Sequence, residues 1–148
     1  VKRVITTAAA PSAIGPYSQA IEANGFVFVS GQLPLDPATG AFVSGGTAEQ
    51  AEQSIKNLLA VLSAAGCTAE DVVKTTVFMI DIGDFGIVNE IYGKYFTGEC
   101  PARCRRARCP RARWSRSRPS RSSRKRQRKR MQKKKGRNFV SPFLFRCR

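Results

Sequence analysis

The sequence predicts an α+β fold for residues 1–103, and three observations support this prediction. Short β-prone runs alternate with helical patterns along the chain, and an Asn-Gly pair separates two of the β-prone runs. Two apolar stripes recur at the spacing of an amphipathic helix. With 148 residues, the chain has room for one ordinary domain with a buried core.

The first predicted elements are strands. Val4–Thr7 is a short β-prone run, and a loop punctuated by proline and glycine follows it. Ser18–Glu22 and Phe26–Ser30 are separated by Ala23-Asn24-Gly25, which predicts a β-hairpin. Since Phe26, Val27, Phe28 and Val29 are all apolar, we expect this strand to be covered on both faces.

A helix is predicted next, after a turn-rich loop over residues 31–40. Thr47 is the candidate N-cap, Gln50 completes a capping-box pattern, and Gly66 is the expected C-terminal stop. The apolar face of this helix comprises Ala51, Ile55, Leu58, Leu59 and Leu62.

The remaining predicted elements are a strand and a second helix. Val72–Ile80 is rich in β-branched and aromatic residues, which predicts a central strand. The second helix is expected to run from an acidic cap at Asp84 to Phe96. Its buried stripe comprises Phe85, Val88, Ile91, Tyr92 and Tyr95.

Charge divides the chain at about residue 103. All ten acidic residues precede position 100, and only six basic residues lie in 1–103, so this segment carries a net charge of −4. The other twenty Lys and Arg residues lie in 104–148 and give that segment +20. Because the tail has almost no apolar periodicity before Phe139–Phe145, we expect 104–148 to be disordered and the final strand of the sheet to be missing.

Five stretches in the first 103 residues form a distinctive pattern when taken in order: Ala13-Ile14-Gly15-Pro16-Tyr17-Ser18-Gln19-Ala20, Val29-Ser30-Gly31-Gln32-Leu33-Pro34, Val73-Lys74-Thr75-Thr76-Val77-Phe78, Phe85-Gly86-Ile87-Val88-Asn89 and Pro101-Ala102-Arg103. Together they resemble the RidA (YjgF-type) family of imine and enamine deaminases. The resemblance implies a chorismate-mutase-like fold with a mixed sheet and two helices on one face, and a homotrimer with active sites between subunits. It also implies cofactor-free hydrolysis of 2-imino or 2-enamino acids, such as 2-aminoacrylate, to 2-keto acids and ammonia.

Residue chemistry supports a set of candidate site residues. Arg103 has a planar guanidinium that matches a substrate carboxylate, although a solvated surface arginine is the simpler alternative. Tyr17 is expected to form a wall of the pocket or hydrogen-bond the substrate, and packing at a subunit interface is the alternative. Ser30 and Gly31 end a strand, where a hydroxyl and a backbone N–H can reach a ligand, and a plain turn is the alternative. Asn89 lies on the second helix and can orient a ligand or lock neighbouring loops, unless it is a polar residue of the helix surface.

The resemblance also identifies a missing group. In the family, a glutamate on the final strand activates water, whereas 104–148 contains no Asp or Glu. Permitted codons for Cys109–Arg121, read in a shifted frame that starts at the last base of the Arg108 codon, spell LPKGALVEIEAVA. That string has the alternation and the two glutamates of the missing strand. We therefore hypothesise that the tail is a frameshifted reading of a family gene, and that activity is impaired.

Other functions were weighed against this interpretation. The alternative is a non-catalytic ligand- or RNA-binding member of the fold with a basic arm. The clusters Arg124–Arg130 and Lys133–Lys135 would suit RNA binding, so nucleic acid is a possible partner only through 104–148. Five cysteines, no histidine and no paired CxxC motif argue against a metal site and a disulfide framework. Since no signal pattern or membrane-length apolar run is present, we expect a cytoplasmic protein without membrane contact.

Overall fold

The computed structural model describes residues 1–99, 101–107 and 139–146. The described residues form six strands and two helices in the order βββαβαββ. Their bounds are β1 Lys2–Ile5, β2 Ala20–Ala23, β3 Phe26–Val29, α1 Thr47–Ala64, β4 Lys74–Met79, α2 Phe85–Tyr95, β5 Ala102–Ala107 and β6 Phe139–Arg146.

All six strands belong to one sheet, in the order β1-β2-β3-β6-β4-β5. β4 and β5 are parallel, and the other neighbouring strands are antiparallel, so the sheet is mixed as predicted. The predicted α+β class is therefore confirmed.

The prediction that the sheet lacks its final strand is wrong for the described residues. β6 comes from the tail and pairs with both β3 and β4, while β5 crosses the predicted boundary at residue 103. The pairing register shifts between Lys74 and Thr76, where Pro142 lies in β6. Proline lacks a donor for the ladder and is tolerated in a central strand at such an irregularity. The predicted disorder of 108–138 lies outside the described residues.

The hairpin between β2 and β3 is confirmed. Asn24 has φ of +52° and Gly25 has φ of +72°, which are the two consecutive left-handed residues of a tight hairpin turn. Ala23 pairs with Phe26 across this turn, and Ala20 pairs with Val29 at the far end. The local turn chemistry therefore determines the register of the hairpin.

Helix α1 begins and ends close to its predicted bounds, but its N-cap is Gly46 rather than Thr47. The Glu49 carboxylate accepts a hydrogen bond of 2.7 Å from the Gly46 N–H. Gly66 has φ of +80°, and the Cys67 N–H donates to the Leu62 carbonyl at 2.9 Å, which closes the C-terminus as predicted.

Helix α2 follows a short 3₁₀ turn that is capped by Asp81, whose carboxylate accepts from the Gly83 N–H at 2.9 Å. Asp84 occupies the predicted cap position but makes no capping hydrogen bond. It instead accepts a hydrogen bond of 2.9 Å from the Thr47 hydroxyl, which ties together the N-terminal ends of the two helices. Among the described residues, no helix has the length and apolar character required to span a membrane.

Both helices pack on one face of the sheet. Thr75, Val77 and Met79 alternate on the buried face of β4, and the Thr75 hydroxyl lies 2.9 Å from the Tyr92 hydroxyl of α2. Leu58 and Leu62 of α1 are 1% and 0% exposed and belong to the same core.

On the opposite face of the sheet, side chains of β1 and β3 are exposed in the single chain. Val4 is 54% exposed and Phe28 is 43% exposed, whereas Val27 and Val29 are buried. The prediction that β3 is covered on both faces is therefore wrong for one copy of the chain, because both helices pack on the other side.

Cys67, at the end of α1, is buried and disulfide-bonded. The cysteine count and spacing did not predict this bond, because such a pairing depends on proximity in the fold rather than in the sequence.

Candidate functional site

The ends of the β2–β3 hairpin lie beside two loops that form a small cleft. Ser30, immediately after β3, donates its N–H to the Gln19 carbonyl at 2.9 Å and its hydroxyl to the Ser18 carbonyl at 2.6 Å. These bonds hold the strand ends together and determine where the chain turns into the second loop.

The first loop, residues 7–17, is held by the buried Gln19 amide. Its Oε1 accepts from the Thr7 N–H at 2.7 Å, and its Nε2 donates to the carbonyls of Thr7 at 3.0 Å, Ala10 at 3.2 Å and Pro11 at 2.9 Å. One side chain that is 4% exposed therefore organises the backbone of the whole loop.

Tyr17 closes the end of the first loop. Its hydroxyl accepts a 3.2 Å hydrogen bond from the Ile14 N–H, and its ring is 52% exposed. Gly15 has φ of +127°, a conformation that side chains rarely adopt, so this glycine allows the turn beneath the ring. The hydroxyl keeps its own proton to donate to a ligand.

The second loop, residues 31–43, is held from two directions. Gln32 donates from Nε2 to the Ser30 carbonyl at 3.0 Å. Asn57, on α1, donates from Nδ2 to the carbonyls of Leu33 at 2.9 Å and Leu35 at 2.8 Å. Leu35 also forms an isolated bridge with Phe42, so the loop folds back on itself.

Between the two loops lies a cavity of about 30 Å³. This volume is roughly that of one water molecule, and it is far below the roughly 300–1,000 Å³ of pockets that enclose a small ligand. The cavity is lined by Pro11, Ser12, Ile14, Tyr17, Gln19, Gly31, Gln32, Leu33 and Leu35. None of these side chains carries a charge at neutral pH.

The structure brings together some of the residues selected from the sequence. Tyr17 and Gly31 line the cavity, and Ser30 directly precedes Gly31. Arg103 lies on β5, where its backbone pairs with Thr75 of β4, and Asn89 lies exposed on α2. Asn89 is not among the described residues that line this cavity.

Three buried amide residues of the cleft were not singled out from the sequence. Gln19, Gln32 and Asn57 are 4%, 5% and 1% exposed, and each is hydrogen-bonded to a loop. For Asn57 a signal was available, because Gln50, Ser54 and Asn57 lie three to four residues apart on the buried side of α1. Polar residues on an apolar stripe need buried partners, which here are loop carbonyls for Asn57.

Shifted pKa values among the described residues occur on the helices rather than in the cavity. The pKa of Glu52 is lowered, first by hydrogen bonding with Lys56 and then by the hydroxyl of Tyr95. The pKa of Lys56 is raised by the same contact with Glu52, and that of Tyr95 is raised first by burial and then by its bond to Glu52. In the part of the chain that the structure describes, no group of three residues is arranged to hold a metal ion.

Comparison with known proteins places these features in a family. A family model described as endoribonuclease L-PSP matches residues 7–108. The 2-iminobutanoate/2-iminopropanoate deaminase of Homo sapiens is 54% identical over 103 residues, which cover 70% of this chain and 75% of the human protein.

Solved structures also resemble the whole fold. A protein of unknown function of the conserved Rid family, from Yersinia pestis, has a TM-score of 0.76 and 37% identity over 99% of both chains. Yeast Mmf1 has a TM-score of 0.77 and 28% identity over 100% of both chains.

Proposed function

The chain belongs to the RidA (YjgF-type) family, and from this premise we propose that it hydrolyses 2-imino and 2-enamino acids to 2-keto acids and ammonia. The observation that carries the proposal is the identity of about half of all positions over 103 residues with relatives named as deaminases of such imines.

Residue roles follow from the chemistry of an imino acid. Water adds to the electrophilic C=N carbon and one of its protons goes to nitrogen, which gives a carbinolamine. The carbinolamine hydroxyl then gives its proton to the amino group, and ammonia leaves as the C–N bond breaks and the C=O bond forms. Arg103 would hold the substrate carboxylate with two parallel hydrogen bonds. Tyr17 would contact the substrate from the first loop, and Ser30 and Gly31 from the second. Asn89 would orient the ligand. No cofactor is required for this reaction.

We propose further that the active unit is a homotrimer with sites between subunits. The cavity that the described loops form, about 30 Å³, is too small to enclose an imino acid by itself, and in a trimer a second copy would supply further walls. The open sheet face, with Val4 and Phe28 exposed, offers an apolar surface for such a contact. Sedimentation velocity tests this: a trimer supports the proposal, and a monomer at all concentrations contradicts it.

The frameshift hypothesis is retained as a proposal, together with impaired activity. The sequence match covers 75% of the human relative, as expected if the remainder of that protein is encoded here in another frame. The tail, including β6, contains no carboxylate residue. A general base contributes about 10²–10⁴ to a hydrolysis rate, so a chain without one should be slow. Sequencing the DNA across Arg103–Arg108 tests the frameshift, and an intact gene without an insertion or deletion would contradict it.

A coupled assay tests the deaminase function. An amino-acid oxidase generates the imino acid, and release of keto acid is followed with and without the protein. The chain as it stands is compared with a version whose residues 104–148 are replaced by the shifted-frame translation. We expect the replaced version to be about 10²–10⁴ times faster. Equal rates would contradict the requirement for the final-strand glutamate, and no activity in either version would contradict the proposed function.

Substitution of Arg103 tests its role in the same assay. Arg103→Lys keeps the positive charge but loses the planar guanidinium. In the version of the chain with the replaced tail, this substitution should lower activity mainly by raising KM. Arg3→Lys is the matched control, because Arg3 is exposed and pairs with Glu22 on the edge hairpin. An unchanged KM in Arg103→Lys would contradict carboxylate binding by this residue.

A second candidate function is RNA binding through the basic tail. The description of the family model as endoribonuclease L-PSP and the charge of +20 in 104–148 favour it. Electrostatic binding would weaken steeply with salt and vanish when residues 108–138 are replaced by an uncharged Gly/Ser linker of the same length. Salt-independent or absent RNA binding would exclude this candidate.

A further inference from the structure

Among the described residues, Asn57 is the one polar side chain of α1 that makes two hydrogen bonds to the second loop of the cleft. Its Nδ2 donates to the Leu33 carbonyl at 2.9 Å and to the Leu35 carbonyl at 2.8 Å, and its Oδ1 accepts from Gln53 Nε2 at 2.9 Å. The side chain is 1% exposed, so water cannot replace these bonds without opening the core.

The two carbonyls that Asn57 holds belong to residues that line the cavity. Leu33 and Leu35 form part of its wall together with Gly31 and Gln32, whereas Asn57 itself does not line it. Helix α1 is anchored in the core through Leu58 and Leu62. The side chain therefore connects a rigid element to the backbone of a surface loop.

Few side chains can make this connection. An amide of this length presents two N–H donors, which match two carbonyl acceptors. An aspartate would place a carboxylate against the same carbonyls, and a leucine would leave both acceptors unpaired in the core. The two bonds of Asn57 are directed at the backbone of a loop that lines the cavity.

We propose that Asn57 is a positioning residue that fixes the conformation of residues 31–35 and thereby the shape of the ligand site. This inference rests on the proposed deaminase function for the identity of the ligand, a 2-imino acid or its 2-keto acid product. A displacement of about 1 Å in such a wall is enough to lower a rate by about 10²-fold.

The test combines amide hydrogen exchange with ligand binding on the full chain. The variants are Asn57→Leu, which removes both donors, and Asn57→Asp, which is isosteric. Gln53→Ala is the matched control, because it removes the bond to Asn57 Oδ1 and leaves both loop bonds intact. Exchange is read on peptides that cover 31–43, with the Asp36 and Val43 amides as reporters, because they donate to Ala41 and Pro34 within this loop.

We expect exchange in 31–43 to become at least about tenfold faster in both Asn57 variants, with β3 and α1 protected as in the wild type. The affinity for 2-oxobutanoate, read by NMR, should fall about tenfold in the same variants and stay within twofold in Gln53→Ala. For Asn57→Asp, both effects should diminish as the pH is lowered from 8 to 5, relative to the wild type at each pH. Burial raises the pKa of the new carboxyl, and its protonated form regains one donor.

The outcomes separate the two proposals. Unchanged exchange in 31–43 in both variants overturns the inference, as does faster exchange with unchanged 2-oxobutanoate affinity. Failure of the wild type to bind 2-oxobutanoate counts against the proposed function, whereas the exchange result still decides whether Asn57 holds the loop. If Asn57→Leu does not fold, the pH dependence of Asn57→Asp carries the test.

Discussion

Gln19 should contribute far more to stability than its size suggests, and replacement by methionine tests this. Gln19→Met keeps the length of the side chain and leaves no cavity, but it removes one acceptor and the donors to three carbonyls. A buried polar group left unpaired costs about 1–3 kcal/mol. One of the four bonds is fully buried and three are partly buried, so water can satisfy some of the released groups. We therefore expect a loss of about 2–3 kcal/mol in the free energy of unfolding.

Gln32→Met is the matched control for this measurement. Gln32 is 5% exposed against 4% for Gln19, but among the described residues its side chain makes a single hydrogen bond, to the Ser30 carbonyl. We expect its replacement to cost about 1 kcal/mol. Urea titrations at one fixed protein concentration, with unchanged m values, give both free energies. Equal losses in the two variants would refute the argument that the loop carbonyls depend on Gln19.

Three further predictions concern the turn, the core and the helix surface. Asn24→Ala should lower the free energy of unfolding by about 1 kcal/mol, because φ of residue 24 is +52°. Asn24→Gly should leave the free energy of unfolding nearly unchanged, and equal losses in the two variants would contradict this. Ser54→Ala should leave the free energy of unfolding unchanged or raise it by about 1 kcal/mol, because the buried Ser54 hydroxyl has no hydrogen-bond partner among the described residues. A decrease of more than about 1 kcal/mol would contradict this. Glu52→Gln tests pH dependence by thermal melting. The pKa of Glu52 is lowered from 4.5 by Lys56 and Tyr95, so its stabilising contribution is present above pH 4.5 and is lost as the pH falls through the lowered pKa. The difference in Tm between wild type and Glu52→Gln should therefore shrink below pH 4.5, and a constant difference would exclude this explanation.

The elements that could be predicted from the sequence depend on local interactions. The hairpin turn at Asn24-Gly25 and the C-terminal stop at Gly66 require left-handed backbone, which these residues adopt readily. The helical stripes of α1 and α2 reflect a spacing that packing on a sheet imposes. The predicted N-cap of α1, Thr47, differs from the observed N-cap, Gly46, by one residue.

The final strand was missed because its position depends on distant parts of the chain. Phe28 of β3 pairs with Leu144 of β6, and Lys74 of β4 pairs with the same residue from the other side. Nothing near 139–146 in the sequence indicates that β3 and β4 leave a gap of one strand between them. The apolar run there was visible, but the basic composition before it favoured a prediction of disorder.

The sequence by itself determined the family, the α+β class and the residues Tyr17, Ser30, Gly31, Asn89 and Arg103 as candidates, because motifs and periodicity are local properties of the chain. Only the tertiary structure decided that two buried amides hold the walls of the cleft. They are Gln19, directly before β2, and Asn57, on α1. Their partners are backbone carbonyls 8 to 24 residues away, and a backbone carbonyl has no signature in a sequence. The fold alone brings such donors and acceptors within hydrogen-bond distance.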